Sequence, residues 1–466
     1  MKKYKSVAFS LLLLLVLTAC SLDPAVRMNV EAGEEENVED LRQLMDGAYD
    51  NMDQSSYMGR DYIIAGEVRA DNVFANNTTG RFSDMSKMEL QSTSSTVANL
   101  YRRMYATTAN PNIILAVDMD QITGSEEDKA QVLGEAYAVR AMAHFDLVRL
   151  FGQAYVDEGD NLGVAYVKKF KDDELQKPRA TIAENKEAIY ADIEEAIAEF
   201  KQAGGSQWGN DKTNFTLDAA YALKSRVGTY FKDYDKVIEA SEELYGKYAV
   251  TPAQELVDYW SIQEPGPASI FELDNNADDN PGIDGLSNIY RIFETNYGDI
   301  EVFSNFIEDA DFDADDVRRS EEMIAKENGK LRNMGKYPSD GSMRGWDNIK
   351  IFRYEEVVLN YAEALLDKDP GKALDLLNEV AVNRNALPYS QATLDNILKE
   401  RRKEFVFEGF RFFDLVRFHK PIRQIDQNAA NRHGDVAPGD ARLVLPIPQQ
   451  ELDTNRNMEP NPSNKH

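Results

Sequence analysis

Apolar side chains recur at spacings of three and four residues through one long stretch of the chain. The series comprises Val132, Ala136, Val139, Ala143, Leu147 and Leu150. This spacing places the apolar side chains on one face of an α-helix, and it does not suit a strand. Ser125 and Asp128 form a helix-capping pattern ahead of the series, and Gly152 follows it. The sequence therefore predicts a long amphipathic helix between Ser125 and Gly152.

Further amphipathic segments come as neighbouring pairs. A capping box of Thr181 and Glu184 starts another helix, and helices are also predicted near residues 38–52 and 394–408. Paired helices with small residues and tyrosines at their contacts resemble tetratricopeptide units of about 34 residues. The sequence thus predicts a mostly α fold. The two clearest pairs are Leu217–Phe231 with Tyr234–Tyr248, and Tyr354–Leu366 with Gly371–Asn383.

Two regions lack helical periodicity and are rich in loop-forming residues. Residues 75–95 carry Asn, Thr, Gly and Ser, and residues 258–353 are rich in Asp, Asn, Gly and aromatic side chains. A short strand is predicted at Ser269–Leu273, and an extended, Pro-rich tail at Leu445–Pro462. Long loops inside a compact domain often carry functional residues, so we expect a binding site in these two regions.

The N-terminus has the organisation of a lipoprotein signal peptide. Lysines come first, and the apolar run over residues 7–17 is too short to span a bilayer. Small residues then precede Cys20, which is the only cysteine of the chain. The sequence predicts a signal peptide over residues 1–19, acylation of Cys20 with chains such as palmitate, and a lipid anchor and tether over residues 20–37. An ordinary signal peptide with an incidental cysteine is the alternative.

Charge and cysteine content narrow the class of protein. The formal net charge of −29 excludes binding to nucleic-acid phosphates or to anionic lipid through the chain's own charge. A single cysteine leaves no intrachain disulfide, so stability has to come from a hydrophobic core. The acidity suits an extracytoplasmic protein but does not identify a ligand.

Several segments, in their order along the chain, resemble the SusD/RagB family of outer-membrane nutrient-binding lipoproteins. The resemblance covers nearly the whole chain after Cys20. Its most specific segment is the charged run Glu400–Phe405, which is followed by the aromatic run Phe407–Leu415. The other segments are Gly66–Asn72, Gly134–Gly152, Ile270–Leu273, Arg353–Ala364 and Leu445–Pro448 with Asn461 and Pro462.

The resemblance implies a fold and a domain organisation. The family fold is an α-superhelix of about four tetratricopeptide-like helix pairs, which support an irregular, loop-rich binding lobe. In this chain the helical domain would span residues 38–466. The irregular lobe would comprise approximately residues 66–100 and 258–350.

The resemblance also implies a function, a location and a partner. We expect a non-catalytic lipoprotein of the outer membrane, exposed at the cell surface, that binds an oligosaccharide. It would deliver this ligand to a SusC-like TonB-dependent transporter, and no cofactor is expected. A peptide-binding member of the family and a surface glycoside hydrolase are the alternatives.

The sequence gives little support for an enzymatic function. The signatures of zinc hydrolases, serine hydrolases and nucleotide-binding enzymes are absent from the sequence. The charged aromatic segment Arg401–Arg417 is interpreted as an intramolecular ion-pair network with its phenylalanines in the core. His144 lies within a helical segment and is expected to be packed there. The sequence therefore predicts no catalytic residue.

The acidic segment from Asp309 to Asp316 resembles a calcium-binding loop. Counting from Asp311, Glu322 occupies the twelfth position, but Asp316 stands where an EF-hand loop needs glycine. We therefore interpret the segment as the solvated acidic start of a helix and predict no metal ligand.

Ligand contacts are expected from residues that combine flat apolar rings with amides or charges, because a sugar presents both C–H faces and hydroxyl groups. Candidates of this kind lie in the two loop regions. They are Phe74, Asn76, Asn77, Arg81 and Phe82 in the first region, and Tyr290, Arg291, Tyr297 and Trp346 in the second.

Overall fold

The computed structural model describes residues 35–153, 160–170, 176–292, 297–339, 346–424, 426, 429 and 432–465. The predicted signal peptide, Cys20 and most of the predicted tether lie outside these residues. Predictions about acylation and anchoring therefore stay predictions.

Helices dominate the described part of the chain. The first group is α1 (Val38–Asp53), α2 (Asp61–Val68), α3 (Ser83–Ser86), α4 (Ser95–Thr107), α5 (Ala109–Ile114), α6 (Glu126–Phe151), α7 (Ile182–Gln202), α8 (Leu217–Phe231), α9 (Tyr234–Leu244) and α10 (Leu256–Ser261). The second group is α11 (Leu286–Tyr290), α12 (Phe306–Asp309), α13 (Tyr354–Ala364), α14 (Pro370–Val382), α15 (Leu394–Glu404), α16 (Arg411–Arg417) and α17 (Gln449–Thr454).

The long helices pack as pairs that stack on one another. Helix α6 packs along α7, α8 along α9 and α13 along α14, while α1 packs against α4 and α5. Contacts of α5 with α6, of α7 with α8 and of α9 with α13 join successive pairs. This arrangement confirms the predicted mostly α fold of stacked, tetratricopeptide-like helix pairs.

Local sequence explains where the long helices begin. The side chain of Ser125 accepts a hydrogen bond from the Asp128 N–H at the start of α6. Thr181 and Glu184 form the predicted capping box at the start of α7, with each side chain accepting from the other's backbone N–H. These caps satisfy N–H groups that have no partner inside a helix.

Close packing of α8 on α9 depends on small residues. A β-carbon at Gly228 would lie 2.7 Å from Cγ2 of Val237, which is too close for two carbon atoms. Ala219, Ala220 and Ala222 of α8 are buried. The Ala-rich character of this segment therefore reflects a short distance between helices.

Short antiparallel strand pairs complete the fold, and two of them connect distant parts of the chain. The strands are β1 (Val73–Ala75), β2 (Ser269–Leu273), β3 (Ile300–Val302), β4 (Ile324–Glu327), β5 (Lys330–Asn333) and β6 (Ile349–Arg353). The pairs are β1 with β3, β2 with β6 and β4 with β5. Strand β2 has the bounds predicted from the sequence.

The charged aromatic segment is buried and forms ion pairs, as predicted. The carboxylate of Glu404 accepts hydrogen bonds from Arg384 at 2.9 Å and from Arg353 and Arg318 at 3.0 Å. Phe405, Phe407 and Phe413 are buried. Phe410 is half-buried and stacks on Phe405 with ring centres 4.7 Å apart.

His144 is packed in the core, as predicted. Its Nε2 accepts a hydrogen bond from the Val167 N–H at 2.9 Å, and its ring stacks on Tyr166 with centres 3.9 Å apart. Burial lowers the pKa of His144 to about 4, so the ring is neutral at physiological pH.

Some helix bounds were predicted wrongly. Helix α15 ends at Glu404 rather than at residue 408, because the chain turns where Phe407 and Gly409 adopt positive φ angles of 74° and 83°. Helix α9 ends at Leu244, since the next residue, Tyr245, is extended. The tail predicted to be extended contains α17.

The interpretation of residues 309–316 as a solvated acidic segment is wrong for Asp316. This carboxylate is buried and bonds the Arg318 guanidinium at 2.7 Å. Asp311 is exposed and pairs with Lys399. In the part of the chain that the structure describes, no group of His, Cys, Asp or Glu side chains could hold a metal ion.

Across the described ranges, no helix is both long enough and apolar enough to cross a membrane.

Candidate functional site

Pairing of β1 with β3 brings the two loop regions together. Val73 faces Val302 and Ala75 faces Ile300 in this short ladder. Directly after β1, the Asn76 N–H donates to the carbonyl of Asp299 at 2.8 Å. The family resemblance implied that the two loop regions belong to one lobe, but the sequence contained no signal for the strand pairing that joins them.

Asn76 holds the two loops together. Its amide nitrogen donates to the Gly298 carbonyl at 2.7 Å and to Glu301 Oε1 at 3.0 Å. Its amide oxygen accepts from the Thr78 N–H at 2.9 Å. These contacts use both N–H donors and one acceptor position of the amide, so Asn76 positions the loops. Its role as a ligand contact stays a prediction.

Arg81 and Tyr297 form the centre of the joined loops. The Arg81 guanidinium lies 3.8 Å from the centre of the Tyr297 ring, which is a short cation–π distance. The Tyr297 N–H donates to the Asn288 carbonyl and fixes the residue beside β3. The Arg81 side chain is 28% exposed and Tyr297 is half-buried. Both side chains can therefore contact solvent and a ligand.

A buried carboxylate orients Arg81. Asp299 is 1% exposed, and its Oδ1 accepts from the Thr79 hydroxyl at 2.7 Å. Its Oδ2 lies 3.5 Å from Arg81 Nη1. Burial raises the pKa of Asp299 above its usual value, although the Thr79 hydrogen bond and the nearby guanidinium act in the opposite direction. The carboxylate of Asp299 and the face of the Tyr297 ring thus hold the Arg81 guanidinium from two sides.

Asp284 lies beside Arg81, together with Tyr297 and Asp299. The sequence did not predict it as a site residue. Its carboxylate accepts from Arg60 Nη1 at 2.8 Å and lies 3.9 Å from Arg81 Nη2. The Asp284 side chain is 47% exposed, and the neighbouring Ile283 is also exposed. One Asp among many in the second loop region carries no sequence signal that distinguishes it.

A gap of 3.9 Å is too long for a direct hydrogen bond and suits an inserted hydroxyl or water. We call the set of Asn77, Thr79, Arg81, Asp284 and Tyr297 the Arg81 surface. It presents an aromatic ring, a guanidinium, a carboxylate and an exposed amide, since Asn77 is solvent-exposed at a positive φ of 63°. This combination can contact both the C–H groups and the hydroxyl groups of a sugar.

Three predicted ligand contacts are instead part of the core. Phe74 is 6% exposed and stacks on Phe303. Tyr290 is fully buried, and its hydroxyl donates to the Phe407 carbonyl at 3.1 Å. Phe82 is buried under the Arg60 guanidinium. In this conformation the three rings belong to the core and are not presented to a ligand at the surface.

Arg291 and Trp346 lie outside the Arg81 surface. Arg291 is half-buried, with a guanidinium nitrogen 3.7 Å from Glu327. Trp346 is half-buried and precedes β6, which belongs to a different strand pair. The structure does not place either side chain beside Tyr297, and both stay predictions as ligand contacts.

A cavity that the sequence did not predict lies between α4 and α17, away from the Arg81 surface. Its volume is about 650 Å³, and its lining includes Tyr101, Arg102, Tyr105 and Glu451. The hydroxyl of Tyr105 donates to the Ala165 carbonyl at 2.9 Å. None of the described residues that line this cavity belongs to the Arg81 surface.

Comparison with known proteins identifies the family. The profile of the SusD family matches residues 310–463, and a profile described as "starch-binding associating with outer membrane" matches residues 27–229. SusD-like protein P38 from Formosa agariphila is 26% identical, over 91% of this chain and 93% of that protein.

Solved structures of similar chains share the fold along nearly their whole length. A SusD superfamily protein from Bacteroides thetaiotaomicron superposes with a TM-score of 0.83 at 27% identity, covering 91% of this chain and 100% of that chain. A protein described as sugar-binding, from Bacteroides vulgatus, gives a TM-score of 0.82 at 27% identity, covering 92% and 98%. Both family profiles, these relatives and the stacked helix pairs together show that the chain belongs to the SusD/RagB family.

Proposed function

We propose that this protein is a non-catalytic glycan-binding lipoprotein of the outer membrane, and that the Arg81 surface contacts the glycan. The observation that carries the proposal is the half-buried Tyr297 ring with Arg81 stacked on it and Asp284 Oδ1 3.9 Å from Arg81 Nη2. Family membership supports a carbohydrate ligand, since one relative is described as sugar-binding.

The geometry suits hydroxyl groups better than a strong anion. Asp284 and Asp299 balance the charge of Arg81, and the chain as a whole carries a net charge of −29. A neutral hydroxyl can bridge Arg81 Nη2 and Asp284 Oδ1 by accepting from one and donating to the other. The exposed parts of the Tyr297 ring and of Ile283 offer apolar contact for the C–H face of the same sugar.

The protein would act at the cell surface with a transporter. We propose that acyl chains on Cys20 anchor it to the outer membrane. We also propose that a SusC-like TonB-dependent transporter receives the bound oligosaccharide. Several acyl chains would give stable anchoring, whereas one chain anchors only marginally.

Isothermal titration of the purified protein against a panel of oligosaccharides tests the ligand. We expect one or more neutral oligosaccharides to bind and to be recovered uncleaved after prolonged incubation. Binding of peptides without binding of any glycan would favour the peptide-binding alternative, and released sugar products would favour a hydrolase.

Anchoring and partnership need separate experiments. Labelled palmitate fed to cells should be incorporated into the protein, and a Cys20→Ala variant should lose the label and leave the membrane fraction. Affinity purification from detergent-solubilised outer membranes should recover a TonB-dependent transporter. Recovery of an unlabelled periplasmic protein would contradict the anchoring proposal.

A further inference from the structure

A second cavity lies on a different part of the molecule from the Arg81 surface. Its volume is about 440 Å³, and it is bounded by residues 85–91 after β1 and by residues 440–446 near the C-terminal end of the described chain. Arg69 and Ser463 also line it. No residue of the Arg81 surface contributes to its described lining.

Arg69 is a buried guanidinium with unmet hydrogen-bonding capacity. The residue is 1% exposed, and its Nη2 donates to the carbonyls of Arg442 at 3.1 Å and Leu443 at 3.0 Å. Its guanidinium lies 4.0 Å from the centre of the Phe412 ring. Within the residues that the structure describes, Nη1 is buried and has no hydrogen-bond partner.

Arg69 also lacks a counter-ion among the described residues, unlike the buried Arg353, which pairs with Glu404 and Glu408. Burial lowers the pKa of the Arg69 guanidinium to about 9, and no carboxylate contributes to raising it. The group is still cationic at neutral pH. A buried cation without a counter-ion is unfavourable, so an anion in the cavity would stabilise it.

Ser463 supplies a second unmet polar group to the same cavity. The residue is 8% exposed, and its hydroxyl oxygen is buried without a hydrogen-bond partner in the described part of the chain. A guanidinium arm and a hydroxyl are both donors that suit the two oxygens of a carboxylate.

The charge at the rim limits the charge of the occupant. Arg442 is already bound to Asp440, with Nη2 and Oδ2 2.7 Å apart. Glu89 also lines the cavity and is exposed. Since Arg69 supplies the one uncompensated positive charge of the described lining, a monoanion is favoured over a dianion.

The remaining walls are apolar. Met85, Met88, Val444 and Leu445 are buried, and Pro446 and Leu90 also line the cavity. Methionine side chains adapt their shape to an apolar occupant. These walls suit an aliphatic body better than a polyhydroxylated one.

We propose that this cavity binds a small aliphatic monocarboxylate, with its carboxylate bound by Arg69 and Ser463 and its chain packed against Met85, Met88 and Val444. The site is separate from the glycan-binding surface, so the two proposals stand or fall independently.

Octanoate is a suitable probe, and isothermal titration of the purified protein is the measurement. Octanol has the same chain without the charge, and octyl phosphate has a higher charge. We expect one octanoate to bind per chain, with no measurable binding of octanol and weaker binding of octyl phosphate.

Variants locate the binding site. Ser463→Ala removes a hydrogen bond to a charged group and should weaken octanoate binding about tenfold or more. Leu90→Trp should block the cavity and leave both polar groups in place. Arg69→Gln should abolish binding, with folding checked by circular dichroism. Ser261→Ala is the control, since the Ser261 hydroxyl is exposed and donates to the Asp258 carbonyl.

Specific outcomes would overturn the proposal. These are absence of octanoate binding, equal binding of octanol, tighter binding of octyl phosphate, or unchanged affinity in both Ser463→Ala and Leu90→Trp. The last two variants keep the test decisive even where Arg69→Gln does not fold.

Discussion

The guanidinium of Arg81 lies 3.8 Å from the centre of the Tyr297 ring, although the two residues belong to loops far apart in sequence. The antiparallel pairing of β1 with β3 sets this distance, since Ala75 faces Ile300 only a few residues from each side chain. A cation held over an aromatic ring orders both groups before a ligand arrives. Such ordering reduces the entropic cost of binding.

Substituting Tyr297 by alanine should weaken glycan binding. Removal of an aromatic contact at the centre of a binding surface costs more than about 1 kcal/mol, so the affinity should fall roughly tenfold. Isothermal titration with the best oligosaccharide of the panel measures the effect. Tyr245→Ala is the matched control, because Tyr245 is an exposed tyrosine that directly follows α9 and lies outside the Arg81 surface. Equal losses in both variants would contradict the assignment of the surface.

Arg81 and Tyr297 should also be energetically coupled in binding. Arg81→Ala removes the guanidinium that stacks on the ring and faces Asp284. In a double-mutant cycle, the binding free energy lost by the Arg81→Ala/Tyr297→Ala double variant should differ from the sum of the two single losses by roughly 0.5 kcal/mol or more. The reason is that residues in contact share their interactions. Strictly additive losses would show that the two side chains bind the ligand independently.

The sequence predicted the helices well because their signals are local. The capping box of Thr181 and Glu184 and the periodic apolar series of α6 depend on neighbouring residues alone. The ends at Glu404 and Leu244 were missed, since the positive φ angle of Phe407 and the extended backbone of Tyr245 have no reliable signal in single residues.

The candidate site was only partly predictable, because burial depends on the tertiary fold. Phe74, Tyr290 and Tyr297 are all aromatic residues in loop-rich sequence, yet the first two are core residues and the third is accessible. The half-exposed carboxylate of Asp284 is positioned by its contact with Arg60, which lies just before α2 and far away in sequence. No spacing along the chain could indicate such a contact.

Glu404→Gln should strongly destabilise the protein. The Glu404 carboxylate bonds three buried guanidinium groups, which hold its pKa well below its usual range. Neutralising one partner of a buried ion-pair network leaves charge uncompensated and costs roughly 3–5 kcal/mol. Urea unfolding followed by circular dichroism measures the change in the free energy of unfolding.

The control for Glu404 is a salt bridge at the surface. Asp395 Oδ1 and Lys420 Nζ lie 2.8 Å apart, with Asp395 exposed and Lys420 half-buried. Asp395→Asn should change the free energy of unfolding by less than about 1 kcal/mol. Comparable effects of the two variants would show that the buried network contributes no more than a surface pair.

Gly66→Ala should destabilise the protein although alanine is the better helix former. Gly66 lies in α2, where alanine should gain about 1 kcal/mol of helix propensity. Its β-carbon, however, would lie 2.1 Å from the carbonyl oxygen of Gly409. The backbones would have to separate, at a cost of roughly 3 kcal/mol or more. Thermal and urea unfolding measure the net loss.

Gly204→Ala provides the comparison, because a β-carbon at Gly204 would meet no atom within 4 Å. This variant should be neutral or slightly stabilising. A stable Gly66→Ala variant would show that the contact between α2 and the Gly409 turn can relax.

Glu67 should make stability depend on pH between about pH 4.5 and 7. Its carboxylate is buried, and one oxygen accepts from the Gly409 N–H at 2.7 Å. Burial raises the pKa of Glu67 to about 7 from its usual 4.5. The folded state therefore binds a proton that the unfolded state releases in this range. The stabilisation from the neutral acid is complete below pH 4.5 and is lost as the pH rises through 7.

The Glu67→Gln variant isolates this contribution, because the amide keeps an acceptor for the Gly409 N–H but does not titrate. The free energy of unfolding of the native protein, relative to the variant, should fall by about 3 kcal/mol between pH 4.5 and 7.5. Glu184→Gln is the control of opposite sign. The pKa of the exposed Glu184 is lowered by its capping hydrogen bonds, so its contribution should disappear only as the pH falls below 4.5. A flat difference curve for Glu67→Gln would mean that Glu67 is ionised in the folded protein throughout this range.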